Sequence, residues 1–98
     1  MGLLNKLLGL PDKRTIREKL SKGAILLDVR TKEEYHYGHI EGSINIPVSD
    51  IPNKLNKLDK DKTIIAVCAS GARSAQVVRY LKSKGFDSYN GGGWSSLR

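Results

Sequence analysis

One cysteine in 98 residues leaves no partner for an intramolecular disulfide, so this chain does not depend on oxidation to fold. A free thiol keeps best in a reducing compartment, and the expected location is cytoplasmic. The lack of a second thiol excludes a thioredoxin-like dithiol cycle, and any disulfide step would have to use an external thiol. Histidine is scarce as well: His36 and His39 stand at i,i+3 with Gly38 breaking the helix between them and no third ligand nearby, so no metal is expected. The chain has no nucleophile elbow for a serine–histidine–carboxylate triad and no glycine-rich nucleotide loop ending in Lys-Ser or Lys-Thr, and no organic cofactor is expected. It also has no apolar run long enough to span a bilayer. The leucine-rich opening, Met1 to Leu10, is interrupted by Lys6, with no basic region before it and no small-residue cleavage site after it. Residues 1–14 are therefore expected to pack on, or lead into, a single domain formed by residues 15–98, without a membrane partner. Repeats, low-complexity tracts and interdomain linkers are missing too.

Charge of one sign is in excess, at +7, but aromatics make up only 6% of the chain. The lysines are spread through Lys54, Lys57, Lys60, Lys62, Lys82 and Lys84, without the long basic block or interleaved aromatics of a nucleic-acid surface. A solvated basic face is the expectation, with no nucleic-acid partner. The same field steers small anions toward a cleft.

What is present is an alternation of strand and helix patterns. Thr15 with Glu18 has the spacing of a capping box, and Ile16 and Leu20 give the helix it opens a buried side. Ala24 to Val29 reads as a continuous apolar strand covered on both faces, and Thr31 with Glu34 repeats the capping-box spacing ahead of a short helix, Lys32 to Tyr37, stopped by Gly38. Ile44 to Ile46 reads as a brief strand closed by Pro47. Ser49 or Asp50 can cap a further helix that carries Ile51, Leu55 and Leu58 on one face. Thr63 to Val67 is the third strand, Ser74 to Lys84 the longest helix with Val77, Val78 and Leu81 inward and Gly85 as its stop, and Phe86 to Asn90 a final strand before the turn Gly91 to Gly93. This order predicts an α/β fold: a small parallel central sheet of about four to five strands, with helices on both faces. Ligands in such sheets sit at the C-terminal ends of strands, where Cys68, Asp28 with Arg30, and the triple glycine are all expected.

The stretch Cys68-Ala69-Ser70-Gly71-Ala72-Arg73-Ser74 follows the third strand and opens the longest helix. Loop N–H groups that converge with a helix N-terminus favour thiolate over thiol, and thiolate is the reactive form. A buried structural cysteine is the alternative reading. Arg73 could close the loop on a bound oxyanion, or serve as the ion-pair partner of a nearby carboxylate. Trp94 is expected to be a core aromatic that ties down the C-terminus.

These motifs together resemble the rhodanese family. The run Cys68 to Ser74 looks like its active-site loop, Leu27-Asp28-Val29-Arg30 with Glu34-Tyr35 like its first signature, Gly38 to Pro47 like its second, and Gly91-Gly92-Gly93-Trp94 like its ending. The resemblance spans about Thr15 to Trp94 and implies a single-domain sulfurtransferase whose cysteine carries a persulfide. In that reading Cys68 is the nucleophile, Ala69, Ser70, Gly71, Ala72 and Arg73 bind the sulfur anion, and Asp28, Arg30 and Ser74 support the edge of the site. Phosphatases with a related cysteine cradle place five residues between cysteine and arginine, whereas four intervene here. A ring of that length is expected to admit sulfur and crowd a tetrahedral oxyanion, which makes phosphatase or arsenate reductase the weaker enzyme reading. Expected partners are a small anionic donor (thiosulfate, polysulfide or persulfide) and a thiol or cyanide acceptor, including an acceptor protein, for a monomeric chain. The alternative from another class is a module that carries or binds persulfide sulfur for a partner protein.

Overall fold

The β-branched run that leads into Cys68 forms an inner strand of a parallel sheet. In the computed structural model, which describes residues 11–98, the strands are β1 (Ile25–Asp28), β2 (Ile44–Asn45), β3 (Ile64–Cys68) and β4 (Ser88–Gly93), in the order β2-β1-β3-β4, and every pairing is parallel. The helices are α1 (Lys13–Ser21), α2 (Lys32–Tyr37) and α3 (Ala72–Ser83). The expected arrangement of residues 1–14 falls largely outside the described residues. Among those described, no helix is long and apolar enough to cross a membrane.

All five residues of β3 are buried, and the period of two along a strand divides them between two cores. Ile64, Ala66 and Cys68 join Leu27, Val29, Ile51, Leu58, Phe86 and the inward face of α3, Val77, Val78 and Leu81. Ile65 and Val67 pack with Leu26 and Ile16 on the other face, where Leu20, Ile40, Tyr89 and Trp94 cover them. Each fully buried Leu or Ile contributes about 1.5–3 kcal/mol relative to an exposed one, so both faces of this strand hold it in place.

Local signals place most element ends. Thr31 Oγ1 accepts from the Glu34 N–H at 3.2 Å while Glu34 Oε1 accepts from the Thr31 N–H at 3.0 Å, completing the capping box of α2. Gly85, at φ +88°, follows the C-terminal end of α3. Gly38 ends α2 in another way: its backbone is extended, and a Cβ there would stand 3.2 Å from the Trp94 ring, so the glycine permits close approach of the C-terminal turn.

Three expectations are corrected. The cap of α1 is Asp12, whose Oδ1 accepts from the Thr15 N–H at 2.9 Å, so Thr15 lies inside the first turn instead of capping it. The segment after Pro47 is two 3₁₀ turns, Val48–Asn53 and Leu55–Lys57, with neither Ser49 nor Asp50 as a cap. Pro47 and Pro52 remove two backbone donors there, and tight turns still bring Ile51 and Leu58 into the core. The last strand begins two residues later than expected and takes in the triple glycine: Asn90 pairs with Ala66 and Gly92 with Val67, so Gly91 is an extra, bulged residue. A Cβ on Gly91 would meet Ile65 Cγ2 and Val67 Cγ1 at 2.8 Å, which leaves room only for glycine.

Candidate active site

Cys68 ends β3 and is 1% exposed. Gly71, at φ +101°, lets the following loop reverse and start α3, which returns two N–H groups to the sulfur. Gly71 N donates to Sγ at 3.0 Å and Ser74 N at 3.4 Å, with Ser74 Oγ also 3.4 Å away. Burial by itself pushes the thiol up, but the Ser74 hydroxyl and N–H together with the Gly71 and Ser70 N–H groups outweigh it and hold Cys68 below its ordinary value. The field of the α3 N-terminus acts in the same direction. Ser74, expected only to support the edge, is thus itself a donor to sulfur. Ala69 and Ser70 are exposed at the rim, and a Cβ on Gly93 would lie 2.9 Å from Ala69 O, so the end of β4 braces the loop by contact.

Arg73 closes the loop, and its fork is engaged. Nη1 and Nη2 donate to Glu34 Oε1 and Oε2 of α2 at 2.7 and 3.0 Å, a bidentate pair of two half-exposed side chains. Arg73 is the main cause that lowers Glu34 to about 2, with the Thr31 N–H next. Glu34 in turn raises Arg73, and the neighbouring charges of Cys68 and Asp28 add to the rise. Of the two roles open to Arg73, the ion pair is therefore in place, and its charge reaches Cys68 through space.

Asp28 and Arg30 are brought to the same sheet edge but make no hydrogen bond to Sγ. Arg30 Nε and Nη2 donate to Asp28 Oδ1 and Oδ2 at 2.9 and 2.8 Å, and Nη2 also reaches Gly38 O at 2.7 Å. The guanidinium lies 4.3 Å over the Trp94 ring. Asn45 Nδ2 closes the frame by donating to the carbonyls of Asp28 and Arg30, both at 2.9 Å. This brace ties the end of β1 to α2, β2 and the C-terminal turn. His39 stacks on Tyr35 at 3.8 Å, and among the described residues no cluster of three potential ligands gathers around either histidine. Clefts of about 560, 370 and 280 Å³ lie away from Cys68; the first, lined by Lys19, Lys22 and Lys62, is at the opposite end of the strands.

Two participants were not singled out as site residues from the sequence. Glu34 stood only as part of a capping box and a signature, and its second role depends on a contact 39 positions along the chain. Asn90 stood as the end of a strand, yet its side chain is buried and bonds to both Gly71 and Ser74. An asparagine inside a strand, where it is disfavoured, followed by three glycines was the available signal.

Fold and site together define a small α/β domain that presents one cysteine sulfur at the C-terminal edge of a parallel sheet, held by N–H groups where a helix opens. The chain matches the rhodanese-like domain family model over residues 12–97 and belongs to that family. YtwF of Bacillus subtilis is 45% identical over 65 residues, 66% of this chain and 63% of YtwF. A sulfurtransferase of Allochromatium vinosum is 31% identical over 77 residues, covering 76% of this chain and 72% of that one. The structure of the human single-domain sulfurtransferase TSTD1 superposes with a TM-score of 0.76 at 27% identity, covering 90% of this chain and 92% of that one.

Proposed function

We propose that this domain transfers sulfane sulfur through a persulfide on Cys68. The observation that carries the reading is the environment of Sγ, where N–H groups of Gly71 and Ser74 at 3.0 and 3.4 Å favour the anion of a buried sulfur. An ionised thiol needs no general base, which suits a sheet edge where the carboxylates of Asp28 and Glu34 are committed to arginines. In the loading step the Cys68 thiolate attacks the outer sulfur of thiosulfate. A Cys68–sulfur bond forms, the bond to the sulfonate sulfur breaks, and sulfite leaves with the electron pair. One negative charge stays on the terminal sulfur and two depart with sulfite, balancing the three that entered. In the discharge step cyanide or a thiolate attacks that terminal sulfur and Cys68 leaves as thiolate, so neither step requires a proton. The loop amides from Ala69 to Arg73 supply fixed dipoles to the terminal sulfur anion, and Arg73 adds a positive charge held in place by Glu34. Polysulfides and persulfides satisfy the same electron count, and the acceptor can be a small thiol or one on a protein.

Incubation with thiosulfate and cyanide, read as thiocyanate, tests the reading with Cys68→Ser as the control. Intact-mass measurement after a panel of donors is expected to show one added sulfur atom on the parent chain and none on Cys68→Ser. An adduct without repeated turnover assigns the domain to persulfide carriage. Equal turnover by the substituted chain refutes the mechanism.

A further inference from the structure

Asn90 lies on β4, next to the cysteine strand, and is 4% exposed. Its Nδ2 donates to Gly71 O at 2.9 Å, while Oδ1 accepts from Ser74 Oγ at 2.7 Å and from Gly92 N at 2.9 Å. Gly92 N–H can only donate and Gly71 O, which also accepts from Ala75 N at 3.0 Å, can only accept, so the amide fits one way round. Ser74 Oγ, fully buried, lies within reach of two acceptors: Asn90 Oδ1 at 2.7 Å and Cys68 Sγ at 3.4 Å. A hydroxyl carries one proton and cannot serve both at once.

We propose that Asn90 is a positioning residue of this site: its Oδ1 competes with Cys68 Sγ for the single Ser74 proton, so that the hydroxyl turns to sulfur in the thiolate state and back to Asn90 in the persulfide state. The second half rests on the persulfide reading above. With Cys68 ionised, the full charge on Sγ makes it the stronger acceptor, as hydrogen bonds to ions are stronger than neutral ones. In the persulfide the charge sits on the terminal sulfur, Sγ is a neutral sulfide, and the carbonyl oxygen at 2.7 Å regains the proton. No bond to hydrogen breaks; only the direction of the O–H changes. Competition from Asn90 therefore weakens the thiolate relative to both the thiol and the persulfide. The charged groups around Cys68 are Arg73 of α3, paired to Glu34 of α2, and the Asp28–Arg30 pair at the end of β1, while β4 contributes only neutral residues beside it.

The test is the pH profile of Cys68 alkylation by iodoacetamide, which needs no sulfur donor. Asn90→Ala is expected to lower the midpoint, giving about three- to tenfold more thiolate at a pH below it, the size of one hydrogen bond. Ser74→Ala, which removes a single buried oxygen, is expected to raise the midpoint, and adding Asn90→Ala to it to change nothing further. A merely structural Asn90 would loosen the loop and raise the midpoint instead. The proposal is overturned by an unchanged or raised midpoint in Asn90→Ala, by an equal shift with Ser74 absent, or by a Ser74→Ala midpoint that does not move. The second half is read on protein shown by mass to carry one extra sulfur atom: Asn90→Ala should discharge to cyanide faster, and equal or slower discharge overturns it. Absence of the sulfur adduct with the titration pattern intact would overturn the persulfide reading while supporting competition for the Ser74 proton.

Discussion

Replacing Arg30 with methionine is expected to remove about 3–5 kcal/mol of stability, because it strips a buried carboxylate of its partner. Asp28 is 1% exposed and receives Arg30 Nε and Nη2 at 2.9 and 2.8 Å. Once the guanidinium is gone, the hydrogen bond left to the carboxylate is that from the Arg30 backbone N–H at 3.0 Å. Gly38 O loses its 2.7 Å donor, and Trp94 loses the nearer of the two guanidiniums over its ring, Arg98 remaining at 5.0 Å. A domain of 98 residues has a total stability on the order of 5–15 kcal/mol, so a large share disappears. For a domain of this size the cost corresponds to a fall in Tm of roughly 15–30 °C. Denaturant titration of Arg30→Met, Asp28→Asn and the double variant measures it. The double variant should be clearly more stable than the sum of the single losses, since neutralising both partners removes the orphaned charge. A loss under about 1 kcal/mol for Arg30→Met, or strict additivity, would refute the reading of this pair as a brace.

Glu34→Gln breaks the bidentate contact with Arg73. The half-exposed pair is worth no more than about 1 kcal/mol after solvent screening. Because Glu34 is lowered to about 2 from an ordinary 4.5, its stabilisation is present above 4.5 and fades as pH falls toward 2. Denaturation curves across that window should therefore differ between parent and variant at neutral pH and converge in acid. Gly91→Ala forces a methyl against Ile65 and Val67 at 2.8 Å and is expected to cost about 1–3 kcal/mol, measured as a shift in denaturation midpoint. Asp12→Ala removes the acceptor of the Thr15 N–H, and thermal melts should register a Tm below that of the parent chain.

The parts of the molecule that were legible in the sequence are those governed by near neighbours. The β-branched run of β3, the capping box of Thr31 and Glu34, the inward face of α3 and the stop at Gly85 depend on residues a few positions apart, where period and spacing carry the information. Part of the surroundings of Sγ was legible for the same reason: Gly71, three positions after Cys68, lies in the expected loop, whereas the Ser74 N–H, six positions on, was expected only at its edge. Local pattern was less sure where two local solutions compete. Asp12 and Thr15 are both good caps, and tight turns and a regular helix both bring Ile51 and Leu58 inward.

What only the tertiary structure decided are the pairings between distant segments. The strand order β2-β1-β3-β4 sets β4 beside β3, which brings Asn90 against Gly71 and Ser74 and turns an expected glycine turn into a bulged strand. The packing of α2 at the same edge gives Arg73 to Glu34. A side chain's hydrogen-bonding capacity is written in its chemistry, but which of several equally suitable partners fills it depends on which surfaces the burial of two apolar faces presses together.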